Sequence, residues 1–265
     1  KGALETNGGV HLLSGYPGSP VATFFDVLAD CAPLLKEHGI EGRLANNEAL
    51  SVAAVNGTQM APLRAMAVFK SVGMHVASDA IALGNLAGAH PEGGAVIVVG
   101  DDPWFVPTIE PSTVQEVKDF VETAFQLSRA SSLYMAYIVT TTLAEGGGSV
   151  VCRPNHYPLT NSRHRLDLNT HELNLEATVL LPPRTGRREV ELPQRFERLH
   201  REIERLGINP LQDVPGADEL VIVTSGLAYQ YVVQALIDVG LHEQVPILKL
   251  AVTYPLDRRQ IEPLL

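Results

Sequence analysis

The run Gly94-Ala95-Val96-Ile97-Val98-Val99 contains no polar residue, and Gly100-Asp101-Asp102-Pro103 stops it. A strand without alternation buries both of its faces, which places it in a parallel sheet with helices on either side. Other stretches supply that sheet and its cover. Val10 to Ser14 and Arg64 to Lys70 read as further buried strands, with a shorter one near Arg43 to Ala45. Between them apolar residues recur at helical spacing, first at Val21, Phe24, Phe25, Leu28 and Ala32, where Gly39 is the stop. Further helices are expected from Asn47 onward, from His75 to Leu86, and along Val114, Val117, Val121, Ala124 and Leu127; Ser149-Val150-Val151-Cys152 reads as a last strand. Strands and helices alternating in this way make an α/β, mostly parallel, doubly wound sheet.

After Pro154 the composition changes. Residues 155 to 192 carry scattered Asn, Thr, His and Arg with paired Pro182-Pro183, and read as a long connection. An amphipathic helix follows, with Phe196, Leu199, Ile203 and Leu206 on one face. A second, smaller α/β unit then opens: strand Leu220 to Thr224, turn Ser225-Gly226, helix Tyr229 to Val239, strand Ile247 to Ala251, and a further helix from Tyr254-Pro255-Leu256. The expected division is therefore a first domain over 1–154, a linker over 155–217 and the start of a second domain over 218–265.

The 265 residues suffice for a well-buried core, and a net charge of −10, from 20 basic and 30 acidic residues, argues against nucleic acid or an anionic membrane as partner. No apolar run is long enough to cross a bilayer, and no signal peptide opens the chain. Cys31 and Cys152 stand far apart without a CxxC, which excludes a disulfide scaffold, a zinc ribbon or an iron–sulfur centre made by this chain alone. A reducing cytoplasm is the expected compartment. Opening on Lys1 and closing at Leu265 inside an apparent helix, the chain is expected to be part of something larger.

In open parallel sheets ligands bind beyond the carboxyl ends of the strands. Four turns fall there: Gly15-Tyr16-Pro17-Gly18-Ser19-Pro20, Asn46-Asn47-Glu48, Lys70-Ser71-Val72-Gly73, and Gly100 to Trp104. Each by itself is an ordinary βα turn, and their joint appearance points to a site. Glu48 is the carboxylate among them. Asn46 or Asn47 can cap its helix, and taken alone Glu48 complements the helix dipole, as first-turn acids do.

The order of these motifs, with Lys70-Ser71-Val72-Gly73-Met74-His75-Val76-Ala77-Ser78-Asp79 in third place and Val98-Val99-Gly100-Asp101-Asp102-Pro103 in fourth, resembles the pyrimidine-binding domain of 2-oxoacid:ferredoxin oxidoreductases, the indolepyruvate type above all. Val223-Thr224-Ser225-Gly226 and Leu248-Lys249-Leu250 to Tyr254-Pro255-Leu256 are similar to the transketolase-C-like domain that follows in that family. What the resemblance implies is thiamine diphosphate chemistry. Glu48 takes the position of the carboxyl that hydrogen-bonds N1′ of the aminopyrimidine, so that the cofactor's own 4′-amino group becomes the base. Tyr16, Pro17, Gly18 and Ser19 would approach the substrate end. Lys70, Ser71, Val72, Gly73, His75, Ser78 and Asp79 would line the aminopyrimidine, although a first-turn histidine such as His75 is more often a structural group than a proton shuttle. Met66 and Met74 read as core filling. The implied reaction is oxidative decarboxylation of a 2-oxo acid to acyl-CoA, with electrons passed through iron–sulfur clusters to ferredoxin.

Two departures from the family bear on this. No Gly-Asp-Gly followed by Asn is present to hold magnesium and the diphosphate, so metal ligands are expected from another domain or subunit, in trans or later in the polypeptide, and a homo- or hetero-oligomer follows. Relatives are also longer after the Asp-Asp-Pro turn, so residues are expected to be missing between Pro103 and Thr108. The alternatives are a non-oxidative 2-oxoacid decarboxylase using the same glutamate, and a non-catalytic pyrimidine-type domain kept for assembly. A nucleotide-binding Rossmann protein is disfavoured, since no GxGxxG follows any strand.

Overall fold

A computed structural model describes residues 1–101, 106–159, 179–217 and 220–264. Six parallel strands come first: β1 (Leu12–Gly15), β2 (Glu41–Leu44), β3 (Arg64–Lys70), β4 (Gly94–Gly100), β5 (Thr108–Ile109) and β6 (Met135–Val139). They are followed by β7 (Leu211–Gln212), β8 (Ile222–Ser225), β9 (Ile247–Leu250) and β10 (Val252–Tyr254). The helices are α1 (Gly2–Glu5), α2 (Thr23–Asp30), α3 (Ala32–Glu37), α4 (Glu48–Thr58), α5 (Val72–Val76), α6 (Ser78–Ala87), α7 (Val114–Ser131), α8 (Thr141–Glu145), α9 (Arg184–Leu206), α10 (Gly226–Asp238) and α11 (Arg258–Ile261). Seven strands form one sheet in the order β10-β5-β6-β4-β3-β1-β2, and three form another in the order β7-β9-β8. The mostly parallel α/β sheet expected from the run at Gly94 is present.

Successive residues of each central strand point to opposite faces, and both faces are dry. Leu13, Met66, Val68, Val96, Val98, Met135 and Tyr137 pack with Phe25, Leu35, Val121, Phe125, Leu199 and Ile203, under α2, α3, α7 and α9. Ala65, Ala67, Phe69, Ala95, Ile97, Val99 and Ala136 pack with Val52, Val55, Met74 and Ile81, under α4, α5 and α6. The alanines on this second face let α4 lie close to the sheet, which brings its first residue, Glu48, to the carboxyl edge.

Several local expectations are corrected. Residues 149–152 are not a strand: Val151 is largely exposed, and its backbone is satisfied by Gln115, whose Oε1 accepts from Val151 N (2.7 Å) while Nε2 donates to Val151 O (3.3 Å). Between β4 and β5 the sheet holds β6 instead, a buried strand that follows α7 directly. The helical pattern over 21–38 divides into α2 and α3, with Pro33 in the first turn of α3 where a missing N–H costs nothing. Residues 72–87 divide likewise into α5 and α6, meeting at the fully buried Ala77. Residues 252–254 form β10, which crosses back to pair antiparallel with β5, and the last helix starts at Arg258, capped by Asp257.

The amphipathic helix begins at Arg184, within the stretch expected to be loop, and lies on the first sheet's helical layer. Three of its arginines cap the ends of other helices. Arg195, 1% exposed, donates from Nη1 to the carbonyls of Asn85 (3.0 Å) and Leu86 (2.9 Å), and Arg188 donates to Ala87 O, all at the end of α6. Arg198 reaches Ala130 O and Ser131 O at the end of α7, each at 3.2 Å. The last carbonyls of a helix lack partners within it, and a cation placed there satisfies both the hydrogen bond and the dipole.

Candidate active site

The parallel strands carry four turns to one edge of the sheet, and backbone hydrogen bonds tie each turn to its neighbour. Tyr16 N donates to Val68 O (3.0 Å), Ala45 N to Gly15 O (2.8 Å), Ser71 N to Gly100 O (2.9 Å) and Asp101 N to Val139 O (3.2 Å). Glycines let the turns touch. A Cβ on Gly18 would stand 3.0 Å from the Lys70 side chain, and one on Gly100 would stand 2.5 Å from the ring of Pro20, which follows a cis peptide bond. The turns after β1, β3 and β4 thus form one continuous wall.

Glu48 closes the wall from α4. Asn47 is the N-cap, its Oδ1 accepting from Leu50 N at 2.8 Å, so of the two asparagines it is the second that sets the start of the helix. Glu48 is only 8% exposed, and its side chain lies along Gly73, where a Cβ would come within 2.5 Å of Cγ and 2.9 Å of Oε1. Among the described residues no hydrogen bond or ion pair reaches the Glu48 carboxyl; the residue is held instead through its carbonyl, which accepts from Ser51 Oγ at 2.8 Å. The side chain is held at the carboxyl edge of the sheet with its carboxyl not engaged by the protein among the described residues, which leaves it available to a ligand.

The other expected residues fall around this centre unevenly. Lys70 and Ser71 border Gly18 and Gly100. Tyr16, Pro17 and Ser19 are exposed at the mouth, and Val72, His75 and Asp79 are exposed along α5 and the first turn of α6, while Ser78 is half-buried. Asp101 sits at φ 75°, with Oδ1 accepting from Thr141 N (3.2 Å) and Thr141 Oγ1 (3.0 Å), so its carboxylate is engaged by the neighbouring turn. Asp102 to Phe105 lie outside the described residues, and with them most of the turn in which residues were expected to be missing.

Two features of this edge escaped the sequence reading. Thr141 joins it because β6 does, and β6 follows α7 with too short a break to stand out. Ser14, fully buried one residue before Gly15, has a hydroxyl without a partner; a lone serine in an apolar strand gives no signal of that. No metal-binding group of His, Cys, Asp or Glu occurs among the described residues.

The residues therefore fit one side of an aminopyrimidine: a carboxyl not engaged by the protein among the described residues for a ring nitrogen, a glycine that makes room for that carboxyl, and a wall of turns. Among the described residues they include no set of carboxylate ligands of the kind magnesium requires.

No family model matches the chain. It is 30% identical to the indolepyruvate oxidoreductase subunit IorA of Archaeoglobus fulgidus over 280 residues, which is 99% of this chain and 43% of that protein. It is also 30% identical to IorA of Pyrococcus horikoshii, covering 96% of this chain and 40% of that one. The chain thus spans about two fifths of the length of these relatives. Among solved structures it is similar to the 2-oxoglutarate:ferredoxin oxidoreductase of Magnetococcus marinus, with a TM-score of 0.67 at 15% identity, over 97% of this chain and 53% of that one. At that identity the likeness concerns the fold. Along nearly its whole length, then, the chain is similar in sequence to the IorA subunit of indolepyruvate oxidoreductase, and in fold to a 2-oxoacid:ferredoxin oxidoreductase, as the order of its motifs implies.

Proposed function

We propose that this chain carries the pyrimidine side of a thiamine diphosphate site in an enzyme that oxidatively decarboxylates a 2-oxo acid to its acyl-CoA. The observation that carries the reading is the largely buried Glu48, its side chain set against Gly73 and its carboxyl without a protein partner among the described residues. Glu48 would hold a proton at N1′ of the aminopyrimidine, and Gly73 and Ser71 would bound the ring. Bound there, thiamine diphosphate supplies a nucleophilic carbon for the substrate carbonyl and a sink for the electrons left by carbon dioxide. The turn from Tyr16 to Ser19 would face the substrate, with Ser19 offering a hydroxyl.

An aryl pyruvate such as indolepyruvate is the favoured substrate, supported by the names of the IorA relatives. Coenzyme A is supported by the solved 2-oxoglutarate:ferredoxin oxidoreductase, which holds it bound together with 2-oxoglutarate. Magnesium, the diphosphate contacts and the iron–sulfur clusters that pass electrons to ferredoxin would come from a later part of the polypeptide or another subunit. Titration with thiamine diphosphate tests this. The complete assembly is expected to bind it tightly with magnesium, and residues 1–265 alone weakly with no magnesium dependence. Tight, magnesium-dependent binding by the monomeric chain sinks the half-site reading, and no binding by the complete assembly favours a domain kept for assembly.

A further inference from the structure

The Ser225-Gly226 turn, one of the motifs of the second unit, faces the first unit. Gly226 opens the 13-residue α10 at φ 47°, and a Cβ there would lie 2.1 Å from Glu110 Oε1 and 2.3 Å from its carboxyl carbon. Ser225 is the N-cap of α10, yet its side chain caps nothing within the helix, and its hydroxyl lies beside the Glu110 carboxyl, whose pKa it lowers. Glu110 follows β5 of the large sheet, and its own N–H donates to Ala251 O at 2.8 Å, beside the β5–β10 pairing. Burial pushes the Glu110 carboxyl above its ordinary range, and the Ser225 hydroxyl works against that shift.

A second contact runs alongside. Lys249 of β9, 8% exposed, pairs with Glu116 in the first turn of α7, and Glu116 Oε2 accepts from Ser112 N (2.7 Å) and Ser112 Oγ (2.8 Å). The segment from Glu110 to Glu116 thus carries carboxylates to two points of the second unit. One end is a helix N-terminus, where partial positive charge and unpaired N–H groups favour an anion.

We infer that Glu110 is a latch: its carboxylate occupies the N-terminus of α10 as a built-in anion and holds the second α/β unit against the large sheet through the Ser225-Gly226 turn. Gly226 is glycine because the latch fills the space a side chain would take. The inference is independent of the cofactor reading. It also gives the Ser225-Gly226 motif a role in assembly of the fold that needs no external ligand.

Hydrogen exchange on the complete protein tests it. In Glu110→Ala, amides of residues 226–238 and 252–254 are expected to exchange at least tenfold faster, while those of 94–100 are unchanged. Glu110→Gln keeps the volume and removes the charge, and is expected to give part of that rise. Unchanged exchange over 226–238 in Glu110→Ala, an equal rise over 94–100, or a Gln variant indistinguishable from the parent overturns the latch. Gly226→Ala supplies a cycle: combined with Glu110→Ala it is expected to speed exchange no further than either substitution alone, and additive effects overturn the shared contact.

Discussion

Gly73 fixes where the Glu48 carboxyl lies, because only a residue without a side chain leaves room for that carboxylate against α5. The pair explains why a first-turn acid, ordinarily a surface group at the helix dipole, is here almost wholly buried. Glu48→Gln keeps the shape and the N-cap at Asn47, so the fold is expected to remain intact in circular dichroism. Proton exchange at C2 of thiamine diphosphate, followed by NMR in the complete assembly, is expected to slow by roughly the 10²–10⁴ typical of acid–base groups. Unchanged exchange in a well-folded variant removes the role assigned to Glu48. Glu48 was legible as a candidate from the order of the motifs, while its place after the asparagines by itself read only as a charge at the helix dipole. Its unpaired state was not, since that depends on what α5 brings beside it.

At the scale of elements, α1 and the irregular residues 153–157 are held to α7 by one buried charge cluster. Glu5, 5% exposed, accepts from Lys118 Nζ and from Arg153 N (2.7 Å), and pairs with Lys1 at 3.3 Å. Burial alone would raise its pKa, but the hydrogen bonds from Lys118, the Arg153 backbone and Lys1 hold it down to about 2, against an ordinary 4.5. A carboxyl lowered on folding stabilises the native state above its unfolded pKa, and that contribution fades as pH falls through the folded one. Wild type is therefore expected to lose stability relative to Glu5→Gln between pH about 4.5 and about 2. Denaturant unfolding of both proteins across that range checks it, and a constant difference refutes the assignment. The sequence offered no hint of this cluster, because Glu5, Lys118 and Arg153 belong to three separate segments.

For the whole molecule, the carboxyl edge is bordered by apolar side chains that nothing in the chain covers among the described residues. Leu50 on α4 and Val72 and Val76 on α5 are each more than half exposed, beside Glu48 and Gly73. Single exposed apolar residues are ordinary, but three beside the Glu48 turn are where the partner domain of the proposed half-site would close. Leu50→Asp together with Val76→Asp is expected to leave the melting temperature of the chain within about 2 °C, as surface changes do. The same pair is expected to lower by at least tenfold the amount of thiamine diphosphate retained by the complete assembly after gel filtration. Unchanged retention would mean that the partner closes over another face.

What the sequence determined is what local chemistry and periodicity record. An all-apolar run at Gly94 to Val99 requires cover on both faces, hence a parallel sheet. Glycine, proline and amide turns after its strands record where the backbone must bend, hence the four turns at one edge. What the tertiary structure alone decided involves partners distant in the chain. Val150 and Val151 have the apolar, branched character of a strand, but Gln115 took the hydrogen bonds that a ladder would have used, and β6 took the place in the sheet. Residues 252–254 cross to the first sheet because β5 left it an open edge, and Arg195 is buried because the carbonyls ending α6 needed a donor. Periodicity reports which residues must be buried, and it carries no information about which of several dry surfaces or unpaired backbone groups will meet them.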